Sequence, residues 1–323
     1  MKDIVLSCDN LLKQYPVKKG MFNKVVGQKN IVDHVSLELE KGKTLAIVGE
    51  SGCGKTVLTR VLLGIEDKTD GSIVFEGKSL DDMKSDMKAK IQMIFQDTLG
   101  SLHPRMSIRE SLEEPLILNG VKDKEEREKI ILDTLSQVGM APMFLDRYPH
   151  QLSGGQRQRI IIARCLVVTP KIIFADEPIS ALDVSLQAQV INMLMDLQDK
   201  YKLSMLLIAH DLAVVRQIAD QIKIMYFGEI VESAPSSEIY KNAQHPYTKV
   251  LLKAAPSISK GLEDAGFDID LKPGDIPDPA KPMPGCPFCT RCIYADERCM
   301  KERPEETEVS PGHTVRCHKA GQI

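Results

Sequence analysis

No stretch of this chain approaches the roughly 20 consecutive apolar residues of a membrane-spanning helix. The first residues, MKDIVLSCDNLLKQY, place acidic and polar side chains where a secretory signal would need an unbroken apolar core. A bias of charge is missing too: 42 basic residues stand against 45 acidic ones, a net charge of −3, with no block of one sign. That balance argues against nucleic acid as a partner. There is no internal repeat and no low-complexity tract. These absences describe a cytosolic chain whose eight cysteines are kept reduced. Any role at a membrane must come through partners.

What is present suits one sizeable domain plus an appendage, or two domains: 323 residues, 43% of them hydrophobic. Short strands are expected near Ile4–Leu6, Val35–Leu39, Thr44–Val48, Ser72–Phe75 and Ile91–Phe95, with a hairpin or extended loop over Val17–Asn30. From Asp97 to about Thr169 the apolar spacing turns helical, with Leu112, Leu116, Ile131, Leu135 and Val138 on inner faces. Strands return at Lys171–Ala175, Ser204–Ala209 and Gln221–Met225, separated by a helix over Ser185–Tyr201. Strands alternating with helices imply βαβ units, an α/β fold and a largely parallel sheet. The helical block, about residues 97–169, is an insertion. Past residue 256 a linker rich in proline (Pro273, Pro277, Pro279, Pro282, Pro284) leads to a cysteine-rich piece, Cys286–Cys317. The expected division is therefore 1–256 and 257–323.

Gly49–Thr56 reads GESGCGKT, the pattern G-x-x-x-x-G-K-[S/T]. Gly49, Gly52 and Gly54 let the backbone curl so that successive N–H groups face phosphate oxygens. The loop, with Glu50, Ser51 and Cys53 between the glycines, runs into a helix whose positive N-terminal end adds to the attraction. Lys55 is the point charge for the outer phosphates of ATP, and the Thr56 hydroxyl is a Mg²⁺ ligand. Asp176 ends an apolar strand, where its carboxylate can serve Mg²⁺, and Glu177 follows as the group that orients or deprotonates the attacking water. Adjacent strand residues point to opposite sides, so a bend at Glu177-Pro178 is needed to aim both. Without the upstream loop, the pair would be ordinary surface carboxylates. LSGGQ, Leu152–Gln156, places Ser153, Gly154, Gly155 and Gln156 at a helix start, suited to a γ-phosphate. If the helical block stands apart, that phosphate belongs to a partner chain.

Phosphate loop, Gln96, LSGGQ, FADE (Phe174–Glu177) and His210, in this order, resemble the ATPase subunits of ATP-binding cassette (ABC) transporters. The resemblance implies a P-loop NTPase cassette with an antiparallel β subdomain and a helical insertion. It makes His210 the switch histidine on the γ-phosphate. Gln96 becomes a sensor of Mg²⁺ and water that joins the core to the insertion. Ser180–Asp183 looks like the D-loop, which carries Asp183 to the partner's nucleotide. Tyr15 is the candidate for stacking on adenine, further upstream than is usual; a plain core tyrosine is the alternative.

Cys286, Cys289, Cys292, Cys299 and Cys317 favour a metal over disulfides in a reduced compartment. With His245-Pro246-Tyr247-Thr248, this segment resembles the C-terminal part of ATPase subunits in oligopeptide/dipeptide importers. There the recurring cysteines match Cys286, Cys292, Cys299 and Cys317, and some members carry an iron–sulfur cluster. Cys289 adds a second spacing, and four thiolates could equally hold Zn²⁺ or stay free. Cys8, Cys53 and Cys165 read as ordinary small residues. The resemblance implies an energy-coupling ATPase at the cytoplasmic face of a membrane. It would pair with a second ABC ATPase rather than with itself, and work with two permeases and an extracellular binding protein. The rival reading is a soluble ABC ATPase acting on nucleic acid or ribosomes. Lying far in sequence from Lys55, Glu177 and His210, the tail is expected to take no part in hydrolysis.

Overall fold

The computed structural model describes residues 3–19, 24–82, 90–97, 100–180, 182–255, 271–272 and 283–323. Most of the expected linker, and Ala181 in the Ser180–Asp183 block, lie outside the described residues. The strands are β1 Ile4–Lys19, β2 Lys24–Glu40, β3 Thr44–Val48, β4 Asp70–Phe75, β5 Lys78–Ser79, β6 Ile91–Ile94, β7 Ile172–Asp176, β8 Ser204–Ala209, β9 Gln221–Tyr226, β10 Glu229–Pro235, β11 Thr307–Ser310 and β12 His313–Val315. The α-helices are α1 Lys55–Leu62, α2 Ile108–Leu118, α3 Lys124–Gln137, α4 Gly154–Leu166, α5 Val184–Tyr201, α6 Leu212–Ile218, α7 Ser236–Asn242, α8 Pro246–Ala254 and α9 Glu297–Lys301.

Two compact units result: residues 1–40, 44–82 and 208–323 form one, residues 41–43 and 83–207 the other. The division expected at residue 256 is not where the contacts divide. The tail folds into the first unit, and the second unit extends past the expected insertion to take in β6, β7 and α5.

In the first unit, an antiparallel sheet runs in the order β2-β1-β4-β5. β1 and β2 are 16 and 17 residues long, and residues 17–19 of one pair with residues 24–27 of the other, so these described parts of the expected Val17–Asn30 loop continue the ladder. Along β2 the burial alternates from Val35 to Leu39, because one face covers the core. A second run has the order β11-β12-β10-β9-β3. β3 and β9 pair in parallel, whereas β9, β10, β12 and β11 pair antiparallel, so the expected parallel pattern stops at β9. All five residues of β3 are buried.

The tail strands join through β12, where Val315 pairs with Glu232 of β10. Glu232 is fully buried, which would be costly for an unpartnered carboxylate. It accepts from the backbone N–H groups of Gln244 (2.6 Å) and His245 (3.0 Å), and its Oε1 lies 2.7 Å from Nε2 of the equally buried His313. Phe288 adds the apolar fastening. Its ring lies 5.3 Å from that of Tyr226 and 5.4 Å from that of Tyr247, and all three side chains are buried.

The second unit pairs β6 with β7 in parallel, and β8 flanks β7. Four of its helices begin on side-chain caps, α5 on Asp183 among them. Ser107 opens α2 in a capping box with Glu110, and Asp123 opens α3 by accepting from the N–H of Glu125 and Glu126. Ser153 opens α4 the same way as Ser107, with Gln156 as its partner. Leu112, Leu116, Ile131, Leu135 and Val138 are all buried, as their helical spacing requires.

Because Phe288 is 1% exposed against two buried tyrosines, Phe288→Ala should lower stability by about 3–5 kcal/mol in urea denaturation. Limited proteolysis should then cut the tail faster than in the wild type; equal stability and equal cleavage would mean the ring is not the tail's fastening.

Candidate functional site

β3 delivers the chain directly into the phosphate loop. A Cβ on Gly49 would lie 2.1 Å from the carbonyl oxygen of Met225 on β9. At Gly54, with φ 112°, it would lie 2.3 Å from the Ile31 carbonyl oxygen. The loop is thus pressed against backbone at both ends, and only glycine fits there. Lys55, 5% exposed, donates from Nζ to the carbonyl oxygens of Gly49 (2.6 Å) and Glu50 (2.9 Å), so its ammonium lies across the loop. Thr56 is exposed on the first turn of α1. Cys53 is buried, and burial raises its thiol pKa, which keeps it an inert, protonated packing residue.

Glu50 is held by residues far from it in the chain. Its N–H donates to the Tyr247 hydroxyl at 2.7 Å, and its carboxylate takes a two-bond fork from Arg291 at 2.8 and 2.9 Å. In the sequence Tyr247 stands out only as part of the His245–Thr248 block, and Arg291 belongs to no motif. Tyr15, on β1, donates its hydroxyl to the Glu66 carboxylate. That bond raises the pKa of Tyr15 and lowers that of Glu66, since it favours the protonated phenol and the ionised carboxylate. The Lys13 ammonium lies 5.2 Å from the Tyr15 ring centroid. His210 follows β8 and is exposed.

In the second unit, β6 leads to Gln96 and β7 ends at the buried Asp176. Glu177 takes φ 44°, a left-handed conformation unusual for a residue with a side chain. This turn supplies the break in strand alternation between the two carboxylates. Gln96 Nε2 then donates to Glu177 Oε2 at 2.9 Å. Ser153 and Gly154 are exposed at the start of α4. The Ser153 hydroxyl accepts from Gln156 N–H (3.3 Å), and the Gln156 side-chain oxygen accepts from Ser153 N–H (3.0 Å). Gly155 is buried, and a Cβ there would lie 3.1 Å from Leu186 Cδ1. Asp183 caps α5 by accepting from Leu186 N–H at 3.0 Å. A cavity of about 790 Å³ lies beside this unit's helices, with Phe95, Leu102, His103, Met106 and Arg164 among its walls.

The five tail cysteines line one cavity of about 20 Å³. Burial raises every one of their pKa values, to about 12 for Cys286 and about 11 for Cys317. Among the described residues, no three His, Cys, Asp or Glu side chains are arranged to hold a metal ion. Cys8 and Cys165 are buried elsewhere.

The ABC transporter model matches residues 32–180, and the model of the oligopeptide/dipeptide transporter C-terminal region matches residues 231–299. The chain is 46% identical over 317 residues to the dipeptide transport ATP-binding protein DppF of Haemophilus influenzae, covering 97% of this chain and 96% of that one. It is 42% identical to the oligopeptide transport ATP-binding protein AppF of Bacillus subtilis, covering 98% of each. The chain belongs to the dipeptide- and oligopeptide-transport ATP-binding proteins.

A solved dimeric ATP-binding cassette bound to ADP and Pi is similar in fold, with a TM-score of 0.63 at 28% identity over 72% of this chain and 98% of that one. The chain is accordingly an ABC-type ATPase whose hydrolysis is coupled to transport. No described helix is long and apolar enough to cross a membrane.

Since a methyl group on Gly49 would overlap the Met225 carbonyl, Gly49→Ala should weaken ATP binding by roughly tenfold or more in titrations with a fluorescent ATP analogue. Wild-type affinity would mean the loop relaxes without loss of its nucleotide-binding form.

Proposed function

We propose that the cargo is peptides, taken up by a complex in which this chain pairs with a second, related ABC ATPase at the cytoplasmic face. The matching C-terminal region and the names of the full-length relatives support peptides over the nucleic-acid reading. The observation that carries the catalytic part is the Gln96–Glu177 hydrogen bond at the turned end of β7. In this reading Glu177 orients and deprotonates the attacking water, Gln96 reports on it, and His210 contacts the γ-phosphate. Gly49 to Thr56 embrace the phosphates of ATP, and Tyr15 stacks on adenine. The oxygen donors of Thr56, Gln96 and Asp176 suit Mg²⁺, which neutralises developing phosphate charge. Ser153, Gly154, Gly155, Gln156 and Asp183 serve the nucleotide of the partner subunit. The exposure of Ser153 and Gly154 at a helix start supports that use. A cytoplasmic helix of a permease docks in the cavity walled by Phe95, Leu102 and Met106, directly after the Gln96 strand.

For the tail we propose a 4Fe–4S cluster held by Cys286, Cys292, Cys299 and Cys317, with Zn²⁺ as the alternative and Cys289, which lines the same cavity, as an alternative donor. Convergence of the thiols on one cavity supports the donor set.

A strain lacking the chain should lose uptake of labelled di- and oligopeptides and regain it with the wild-type gene. Glu177→Gln should bind ATP yet slow hydrolysis by roughly two orders of magnitude or more and leave uptake lost. Peptide uptake that survives the deletion would remove the cargo assignment; near-wild-type turnover by the variant complex would remove Glu177 from its role.

Protein purified without oxygen should contain iron and acid-labile sulfide, with broad visible absorption that bleaches on reduction. Cys292→Ser or Cys299→Ser should abolish both, whereas Cys289→Ser should keep them. Zinc without iron would reverse the choice between the two groups, and protein free of metal would eliminate both.

A further inference from the structure

Glu50, second residue of the phosphate loop, is gripped twice from the C-terminal part of the chain, by the Tyr247 hydroxyl on its N–H and the Arg291 guanidinium on its carboxylate. Two parallel bonds fix direction as well as distance. Arg291 is 12% exposed and Glu50 31%, so the pair is partly withdrawn from water and less screened than an open surface pair. Arg291 is itself held from behind. Its guanidinium carbon lies 5.8 Å from the Phe288 ring centroid and 6.0 Å from that of Tyr226. The N–H groups of Arg291 and Cys292 both donate to the Phe288 carbonyl oxygen at 3.0 Å. The turn that carries Arg291 is therefore the turn that lines the cysteine cavity, with Phe288 between Cys286 and Cys289. Far from the loop in sequence, the tail grips it in the fold.

We propose that Arg291 is a positioning residue for ATP binding, through which the cysteine-rich tail sets the charge and shape of the phosphate loop. This rests on the phosphate loop being the ATP site. An unpaired Glu50 carboxylate would be an anion within a loop that must accept a triphosphate, and like charges at close range repel. The Arg291 fork neutralises that carboxylate and turns it aside. It also holds the loop backbone, because the same residue is pinned at its N–H by Tyr247. A role in folding alone would not depend on the charge of Glu50. This one does.

The test is ATP affinity of the full chain, measured with a fluorescent analogue for Arg291→Gln, Arg291→Lys, Glu50→Gln, the Glu50→Gln/Arg291→Gln double variant and Lys55→Ala. Arg291→Gln should weaken binding roughly tenfold. Arg291→Lys should fall between, because an ammonium cannot form the fork. In the Glu50→Gln background the same Arg291 change should cost less than about threefold, since no carboxylate charge remains to be turned aside. If Arg291→Gln fails to fold, Arg291→Lys in the two backgrounds gives the same comparison. Wild-type affinity for the Arg291 variants would overturn the proposal. So would an equal loss in both backgrounds, which would reduce Arg291 to a structural contact. Lys55→Ala with undiminished affinity would instead overturn the phosphate-loop reading on which the proposal stands.

Discussion

Gly49 and Gly54 bring the backbone of the phosphate loop so close to two neighbouring carbonyl groups that no side chain would fit between them. The phosphate loop therefore depends on contacts from outside, and much of the first unit is arranged to provide them. Met225 and Ile31 press their carbonyl groups against Gly49 and Gly54, closer than any side chain would allow. Lys55 bridges the carbonyl oxygens of Gly49 and Glu50. Tyr247 and Arg291 fix Glu50 from the C-terminal side. β9, the β2 hairpin, α8 and the tail all meet at this loop.

On its way to the loop the tail supplies partners to buried charges of the first unit. The buried Glu232 takes three partners, one of them His313 on β12, so the added strands do not leave an unpaired charge in the core. Arg303 reaches Glu229 on β10 and Asp33 on β2. Phe288 contributes the apolar area beside Tyr226 and Tyr247. In the second unit the comparable device is the backbone at Glu177. Its positive φ is strained for a side-chain-bearing residue, and it brings the carboxylate to Gln96.

Much of this was legible from residue types and spacing. The buried strands β3 and β8 match their apolar runs, and β6, β7 and β9 lie within a residue or so of theirs. A continuous apolar run between turn residues leaves little choice of structure. The inner-face leucines and isoleucines of α2 and α3 followed from helical spacing alone. β1 was legible for only three of its residues, because its outer half is polar and its register is interrupted between Cys8 and Leu11. β10 carries Glu229, Glu232 and Ser233 inward, so it reads as a polar segment. β11 and β12 are too short to show a period and are stabilised by pairing with β10.

Local chemistry decides which residues can form a phosphate loop, a helix cap or a strand end, and those demands are written in consecutive positions. The sequence by itself therefore determined the glycine-rich phosphate-loop pattern, the paired carboxylates, the LSGGQ helix start and the cluster of thiols. It could not say what surrounds them, because Glu50 and Arg291 are 241 residues apart and neither carries a periodic or motif signal for the other. Only the tertiary structure decided that the tail joins the sheet and grips the phosphate loop, since that depends on how buried charges find partners across the fold.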